Sequence, residues 1–147
     1  MSTKVELDDV TVEAVDRVAV VRLNDPRTLN AISPRMIGGI AQALDHIDTQ
    51  GKHVRALVMT GAGRGFCSGA NLTTTGPEDM LKQDDFGGIL REIYYPVLRR
   101  FRALKMPMIV AVNGPAVGFG FSLALTGDIL LAARCCRALS VSTAPRS

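Results

Sequence analysis

The chain has 147 residues, of which 47% are hydrophobic and 21% are charged, and its formal net charge at pH 7 is +3. This composition excludes a disordered or fibrous chain and allows one domain with one sizeable core. The densest cationic run, LRRFRALK at 98–105, is typical of the solvated face of a helix. A nucleic-acid patch is the alternative interpretation, but no recognised nucleic-acid-binding motif accompanies the run, so we expect no nucleic-acid partner.

Features of the amino terminus and of the apolar runs predict a cytoplasmic protein. The opening MSTKVELDD is polar and acidic, unlike a signal peptide. The apolar run near the end of the chain is interrupted by Gly127 and Asp128 and is shorter than the roughly 20 residues that span a bilayer. The three cysteines are too few and wrongly spaced for a zinc site or a disulfide framework, so we expect no metal.

The first part of the chain predicts a β-hairpin followed by a helix. VTVEAV and VAVVRL are two β-rich runs around a tight turn at Asp16 and Arg17. Ser33 fits a helix N-cap and Pro34 the first helical position, where a missing N–H costs nothing. Apolar residues then recur at helical spacing until the helix ends near Gly51, namely Ile37, Ile40, Leu44 and Ile47.

The second part alternates strands and helices. VRALVMTG at 54–61 predicts a buried strand that is reached by a helical crossover and therefore pairs in parallel. The segment 73–88 carries turn formers and acids without periodicity, which is typical of a functional or mobile loop. A helix kinked at Pro96 follows, with apolar positions Ile89, Ile93, Val97, Phe101 and Leu104. MIVAVNG predicts the next strand and 119–133 an apolar helix, so the chain is expected to be one α/β domain.

Two glycine-rich turns, RGFCSGANL at 64–72 and PAVGFGFSL at 115–123, each follow a predicted buried strand. They are expected at the carboxyl ends of neighbouring strands, where open α/β sheets bind ligands. Such a turn exposes N–H groups that can polarise a carbonyl oxygen, and the dipole of a following helix adds to the effect. The alternative is that these glycines only permit tight turns and close helix packing.

Three segments of the chain resemble, in order, the signature segments of the enoyl-CoA hydratase/isomerase, or crotonase, superfamily: LNDPRTLNAI, VMTGAGRGFCSGANL and MPMIVAVNGPAVGFGFSLALTGDILLA. The resemblance covers residues from about Thr11 to Arg134. It implies a crotonase-like α/β spiral of ββα units, of which residues 1–134 are the amino-terminal part. It further implies an acyl-CoA thioester as substrate, with no cofactor beyond the coenzyme A that the substrate carries.

The resemblance also implies specific site residues. In the family two backbone amides form an oxyanion hole, and the matching amides here belong to Ala70 and to Phe119, which stands where glycine is common. The Phe119 ring is expected to narrow the acyl pocket or to crowd the site. The contacts with coenzyme A carried over from the family are Leu29, Ala31, Ser68, Ala70, Leu72 and Gly118.

Hydratases of this family use two glutamates, and neither has an obvious counterpart here. The first position corresponds to Ser122, and a serine without a basic partner is a poor general base at neutral pH. The second falls near Ser142, in the tail. Asp128 is expected to be a buried, hydrogen-bonded structural carboxylate within the 119–133 helix, turned away from Phe119. Four loop acids are expected to be solvated, namely Glu78, Asp79, Asp84 and Asp85.

Residues 135–147 depart from the family pattern and form a tail that a frameshift or a truncation would explain. The resemblance implies that the full-length family domain continues further and builds a homotrimer or a pair of trimers. The resemblance implies an enoyl-CoA hydratase or isomerase, of the kind used in fatty acid oxidation, that stabilises a thioester enolate. The alternative is a non-catalytic remnant that at most binds coenzyme A or a partner subunit.

Overall fold

The computed structural model describes residues 3–50, 53–71, 88, 90–134, 136 and 138–139. Within them, six strands form one sheet in the order β1-β2-β3-β4-β5-β7, and β6 pairs with β8 in a separate two-stranded sheet. The strand bounds are β1 Thr3–Leu7, β2 Val10–Val15, β3 Val18–Leu23, β4 Ala56–Gly61, β5 Met108–Val112, β6 Ala116–Val117, β7 Ile129–Ala132 and β8 Ala138–Leu139. The helices are α1 Pro34–Gln50, α2 Tyr95–Arg102 and α3 Phe119–Ala124.

The opening hairpin and the first helix are confirmed. β2 and β3 pair antiparallel, and Asp16 in the turn between them has a φ of +54°. The Ser33 side chain accepts a hydrogen bond from Met36 N at 3.1 Å, which caps α1 as predicted. The predicted apolar face of α1 is buried, namely Ile37, Ile40, Leu44 and Ile47.

The crossover through α1 places β4 beside β3 in parallel, and β5 lies parallel to β4. Along β3, β4 and β5 buried and half-buried residues alternate, so these three strands bury one face fully. That face supplies much of the core, with Val21, Leu57, Met59 and Val110 among its buried side chains. The α/β architecture is the one that the sequence predicts.

The irregularity in the second helical segment lies before Pro96 rather than at it. Residues Leu90–Tyr94 form a π-helical turn, and α2 begins directly after it. A π turn inserts extra residues into the helical repeat and rotates the side chains that precede α2. As a result Ile93 is 38% exposed, although the periodicity predicts it in the core, and Tyr94 is only 8% exposed.

The predicted helix over 119–133 is wrong. α3 has six residues, and the apolar run continues as β7, which pairs in parallel with β5. The chain turns at Gly127 and Asp128, the two residues that interrupt the apolar run. A continuous apolar run has no clear period, so its sequence alone does not separate a buried helix from a strand.

β7 is the outermost strand on one side of the sheet. Its four residues are all exposed, and the three large apolar side chains have exposed fractions of 52% for Ile129, 46% for Leu130 and 56% for Leu131. Among the described helices none has the length and the apolar character that crossing a membrane requires. The cytoplasmic location stays a prediction, and all of the loop 73–88 except Gly88 lies outside the described residues.

Candidate active site at the carboxyl edge of the sheet

Both glycine-rich turns lie at the same edge of the sheet, as predicted. They follow β4 and β5, which are parallel neighbours, so the carboxyl ends of the two strands coincide. Cys67 in the first turn and Ala116 in the second form a parallel bridge. Cys67 N donates to Pro115 O at 3.1 Å, and Val117 N donates to Cys67 O at 3.0 Å. The two turns therefore form one backbone unit.

The buried side chain of Asn30 clamps the first turn from the other side. Its amide nitrogen donates to the carbonyl oxygens of Ala62 and Gly65, each at 3.0 Å. Its side-chain oxygen accepts a hydrogen bond from Asp25 N at 2.9 Å. Asn30 is fully buried and has a φ of +57°, a conformation that asparagine tolerates better than most residues.

Asn113 clamps the same turn from the end of β5. Its amide nitrogen donates to Gly63 O at 3.0 Å, and its side-chain oxygen accepts a hydrogen bond from Gly61 N at 3.1 Å. Sequence reasoning did not single out Asn30 or Asn113, although both stand in the quoted family segments. Asn113 could have been singled out as an asparagine just beyond the end of a buried strand, where its amide can pair with the free backbone groups of a neighbouring turn. Asn30 lies seven residues after the end of β3 and carries no such signal.

The Ala70 amide has no backbone acceptor in the described part of the chain. Ile32 N donates to Gly69 O at 2.7 Å, and Asn71 N donates to Ile32 O at 2.9 Å. This pattern defines a parallel bridge between Ile32 and Ala70. In it Ile32 is hydrogen-bonded to Gly69 and Asn71, the two neighbours of Ala70, and not to Ala70 itself. The N–H of Ala70 consequently points away from Ile32.

The Phe119 amide is also without an acceptor among the described residues. Phe119 is the first residue of α3, and the N–H groups of a helix's first turn have no intrahelical partner. Two residues of that turn do find one, because Phe121 N and Ser122 N both donate to Gly118 O. Gly118 precedes the helix with φ +54° and ψ −119°, a backbone conformation that a side chain would strain.

Gly69 brings the two amides close together. A methyl group added to its α-carbon would lie 2.9 Å from Val117 O and 3.9 Å from Phe119 N, so the backbone next to Ala70 packs directly on the backbone leading to Phe119. The φ of Gly69 is +101°, which side chains rarely adopt. The close approach and the backbone conformation both require glycine at this position.

Two aromatic rings and one thiol belong to this region, namely those of Phe119, Tyr94 and Cys67. The ring of Phe119 meets the ring of Tyr94 edge-on, with centroids 4.7 Å apart and an interplanar angle of 68°. Burial raises the pKa of the Cys67 thiol from 9.0 to about 11, although a hydrogen bond from the Gly69 backbone partly lowers it. Burial also raises the pKa of Tyr94, and the nearby Cys67 adds to that rise.

The residues expected to contact coenzyme A are partly brought together. Ser68 N donates to Leu29 O at 2.9 Å, and the Ser68 hydroxyl donates to Thr28 O at 2.7 Å. The segments around Leu29 and Ser68 therefore lie side by side. Ala31 is 8% exposed. Leu72 lies outside the described residues, so its predicted contact stays a prediction.

The candidate acid and base groups do not meet at the two amides. Ser122 is an exposed residue of α3. Asp128 precedes β7 rather than lying in a helix, and it is exposed rather than buried. Its carboxylate accepts a hydrogen bond from Met108 N at 2.8 Å, at the amino end of β5 and thus at the opposite edge of the sheet. This bond fits the structural role expected for Asp128. Ser142 and the four loop acids lie outside the described residues.

Two cavities differ in their relation to this edge. One of about 310 Å³ lies between the carboxyl ends of β5 and β7, lined by 111–113 and 131–133. The larger one, of about 380 Å³, lies between the carboxyl-terminal ends of α1 and α2. Neither cavity is lined by residues of the two glycine turns. Over the part of the chain that the structure describes, no group of three or more His, Cys, Asp or Glu residues could hold a metal ion.

Comparison with known protein families identifies the fold. The family model described as enoyl-CoA hydratase/isomerase matches residues 13–142. A solved enoyl-CoA hydratase/carnithine racemase from Magnetospirillum magneticum superposes with a TM-score of 0.81 at 28% identity, over 92% of this chain and 50% of that one. The crotonase-like α/β fold predicted from the sequence is thereby confirmed.

Two relatives found by sequence comparison are named as an isomerase and a hydratase of CoA thioesters. The 1,2-epoxyphenylacetyl-CoA isomerase of Escherichia coli K12 is 39% identical over 117 residues, which cover 80% of this chain and 44% of that protein. The short-chain-enoyl-CoA hydratase of Clostridium acetobutylicum is 32% identical over 128 residues, which cover 86% of this chain and 47% of that protein. The chain thus spans about half the length of the relatives it matches.

Proposed function

Because the chain belongs to the enoyl-CoA hydratase/isomerase family, we propose that it binds an acyl-CoA thioester and polarises the thioester carbonyl with the N–H groups of Ala70 and Phe119. The observation that carries this proposal is a pair of backbone donors that have no acceptor among the described residues and that lie on two packed turns at the carboxyl ends of β4 and β5. Negative charge develops on the thioester oxygen when an enolate forms, and two fixed N–H donors stabilise that charge.

The proposed stabilisation of charge comes from the two N–H groups themselves. The six residues of α3 do not form the long helix expected from the sequence, so the proposal does not depend on a helix dipole. The rigid surroundings matter more, because donors that are already in place need no reorganisation when charge develops. The bridge between Cys67 and Ala116 and the clamp of Asn30 supply that rigidity.

Coenzyme A would lie along the adjacent segments around Leu29 and Ser68. The backbone and hydroxyl hydrogen bonds of Ser68 hold these segments together, so they offer one surface beside Ala70. The remaining contacts proposed with coenzyme A are Ala31, Ala70, Leu72 and Gly118. Assembly as a trimer or a pair of trimers and a cytoplasmic location stay predictions.

For the reaction class, we favour isomerisation over hydration. Hydration needs a carboxylate and a carboxylic acid that converge on one water and on the Cα–Cβ bond. The exposed hydroxyl of Ser122 stands at the position of the first glutamate, and Asp128 is bonded at the other edge of the sheet. The names of the relatives do not separate the two reaction classes, since the one from Escherichia coli is an isomerase and the one from Clostridium acetobutylicum is a hydratase.

The proposal is tested with an aromatic enoyl-CoA whose double bond is conjugated with both the ring and the thioester. Polarisation of the carbonyl extends charge separation through this chromophore, so its absorption is expected to move to longer wavelength when it binds. The same titration with coenzyme A alone measures binding without a carbonyl. A bound chromophore with an unchanged spectrum would overturn the proposed polarisation.

The second candidate, a remnant that binds coenzyme A without catalysis, is supported by the exposed position of Ser122 and by the hydrogen bond that holds Asp128 at the opposite end of β5. The two candidates give different results in the same experiment. The remnant predicts similar affinities for coenzyme A and for the enoyl-CoA, with no spectral shift. An enzyme that polarises the thioester gives both tighter binding of the enoyl-CoA and a shift.

A further inference from the structure

Tyr94 contacts the segment that pairs with Ala70 and the side chain of Phe119. Its hydroxyl donates to the carbonyl oxygen of Ile32 at 3.4 Å, and Ile32 is the bridge partner of Ala70. Its ring packs edge-on against the ring of Phe119 at a centroid distance of 4.7 Å. One side chain from the helical layer therefore links the segment paired with Ala70 to the residue that bears the second donor.

An irregular stretch of helix places Tyr94 in this position. The π-helical turn Leu90–Tyr94 turns Tyr94 into the core and leaves Ile93 exposed. A regular helix with the apolar spacing of the sequence would bury Ile93 instead. π-helical turns are rare and are frequent at functional sites. The irregular turn thus exchanges an aliphatic core contact for an aromatic one beneath the two donors.

We propose that Tyr94 is a positioning residue that fixes the amides of Ala70 and Phe119 relative to each other. This inference rests on the proposed function and goes beyond it, because Tyr94 touches neither donor N–H itself. The 3.4 Å separation is long for an O–H···O hydrogen bond, whereas the ring geometry is typical of a favourable aromatic pair. The ring therefore contributes more to positioning than the hydroxyl does.

The test uses the 147-residue chain and three variants, Tyr94→Phe, Tyr94→Leu and Tyr95→Leu. Tyr95 is the matched control, since it is the adjacent tyrosine and is 43% exposed. The readout is the spectral shift of the conjugated enoyl-CoA at saturating protein, so that weaker binding alone does not lower it. Tyr94→Leu is expected to lose most of the shift, Tyr94→Phe to keep most of it, and Tyr95→Leu to keep all of it.

Binding of coenzyme A separates positioning from general loss of structure. Because coenzyme A has no thioester carbonyl, we expect its affinity to change by less than about threefold in Tyr94→Leu, which corresponds to less than about 0.7 kcal/mol. A full shift in Tyr94→Leu, or an equal loss in Tyr95→Leu, overturns the inference and leaves the proposed function standing. No shift in the unsubstituted protein overturns both.

A second variant keeps the inference testable if Tyr94→Leu does not fold. Phe119→Leu retains the backbone N–H and removes the other ring of the pair. Its shift is expected to fall in the same way, since the contact with Tyr94 is lost from the opposite side. If both variants fold, the double variant should lose no more than either one alone, because both remove one contact. A full shift in Phe119→Leu would overturn the inference.

Discussion

Burial of the Cys67 thiol is expected to make the stability of the folded chain depend on pH in the alkaline range. Burial favours the neutral thiol, so the folded chain holds the proton up to about pH 11, whereas the ordinary pKa is 9.0. A thiol that stays protonated is a weak nucleophile, because the thiolate is the reactive form. Cys67 therefore acts through its packing under the two turns, where Gly69 N–H contacts its sulfur.

This pKa predicts how stability changes with pH. As the pH rises above 9.0 the unfolded chain loses the Cys67 proton first, so the folded state binds more protons and the free energy of unfolding falls until about pH 11. A difference of about two pKa units corresponds to about 3 kcal/mol. Tyr94 adds to the fall with the same sign, because burial also raises its pKa.

Urea unfolding of the unsubstituted chain and of Cys67→Ala at several alkaline pH values checks this prediction. The slope of the free energy against pH should be shallower in Cys67→Ala, while the part due to Tyr94 remains. Slopes, rather than absolute stabilities, are compared because removing the thiol also changes packing. Equal slopes in the two proteins would show that Cys67 ionises similarly in the folded and unfolded chains.

Among the elements, the turn after β4 is held by side chains from two other segments. Asn30 bonds the carbonyl oxygens of Ala62 and Gly65, and Asn113 bonds that of Gly63. The carbonyl groups of a turn that is glycine-rich and irregular have no ladder partners, so side-chain amides satisfy them. The proposed donor at Ala70 depends on this support because it stands at the end of the same turn.

Asn30→Ala is expected to destabilise the fold by about 3 kcal/mol or more. The substitution removes three hydrogen bonds from a fully buried side chain and leaves their partners unpaired. Alanine also tolerates the φ of +57° less well than asparagine does. Urea unfolding measures the loss, and Asn24→Ala, at an exposed residue on the same connection, is the control with an expected change below about 0.5 kcal/mol. Similar stabilities for the two variants would contradict the clamp.

Elements with a clear period were predictable, and those without one were not. Alternation in VAVVRL and the 3.6-residue repeat of α1 give β3 and α1 directly. The apolar run after Phe119 gives no period, which is why the strand β7 was predicted as a helix. The burial of Tyr94 was not predicted, because the π-helical turn Leu90–Tyr94 changes the helical period and the sequence pattern does not mark that turn.

For the whole molecule, the candidate site is assembled from three separate segments at one sheet edge. The segments around Ile32, Ala70 and Phe119 meet through backbone bridges and close glycine contacts. The resemblance to a known family pointed to Ala70 and Phe119 from the sequence. Tertiary contacts bring in Asn30, Asn113 and Tyr94. The Asn30 amide nitrogen bonds Ala62, 32 residues away, the Asn113 amide bonds Gly63, 50 residues away, and the Tyr94 hydroxyl bonds Ile32, 62 residues away. Such pairings cannot be deduced from a local pattern.

A comparison of Phe119→Pro with Phe119→Ala isolates the contribution of the proposed N–H donor at Phe119. Phe119 is the first residue of α3, a position where proline is tolerated, so proline removes the N–H while the helix can still form. Both variants lack the ring, and the difference between their spectral shifts with the conjugated enoyl-CoA therefore reports the N–H donor. Losing one such donor costs about 2.7–4 kcal/mol of transition-state stabilisation in enzymes that use this device. We expect a residual shift in Phe119→Ala that Phe119→Pro lacks, and equal shifts in the two variants would show that the Phe119 N–H does not polarise the thioester carbonyl.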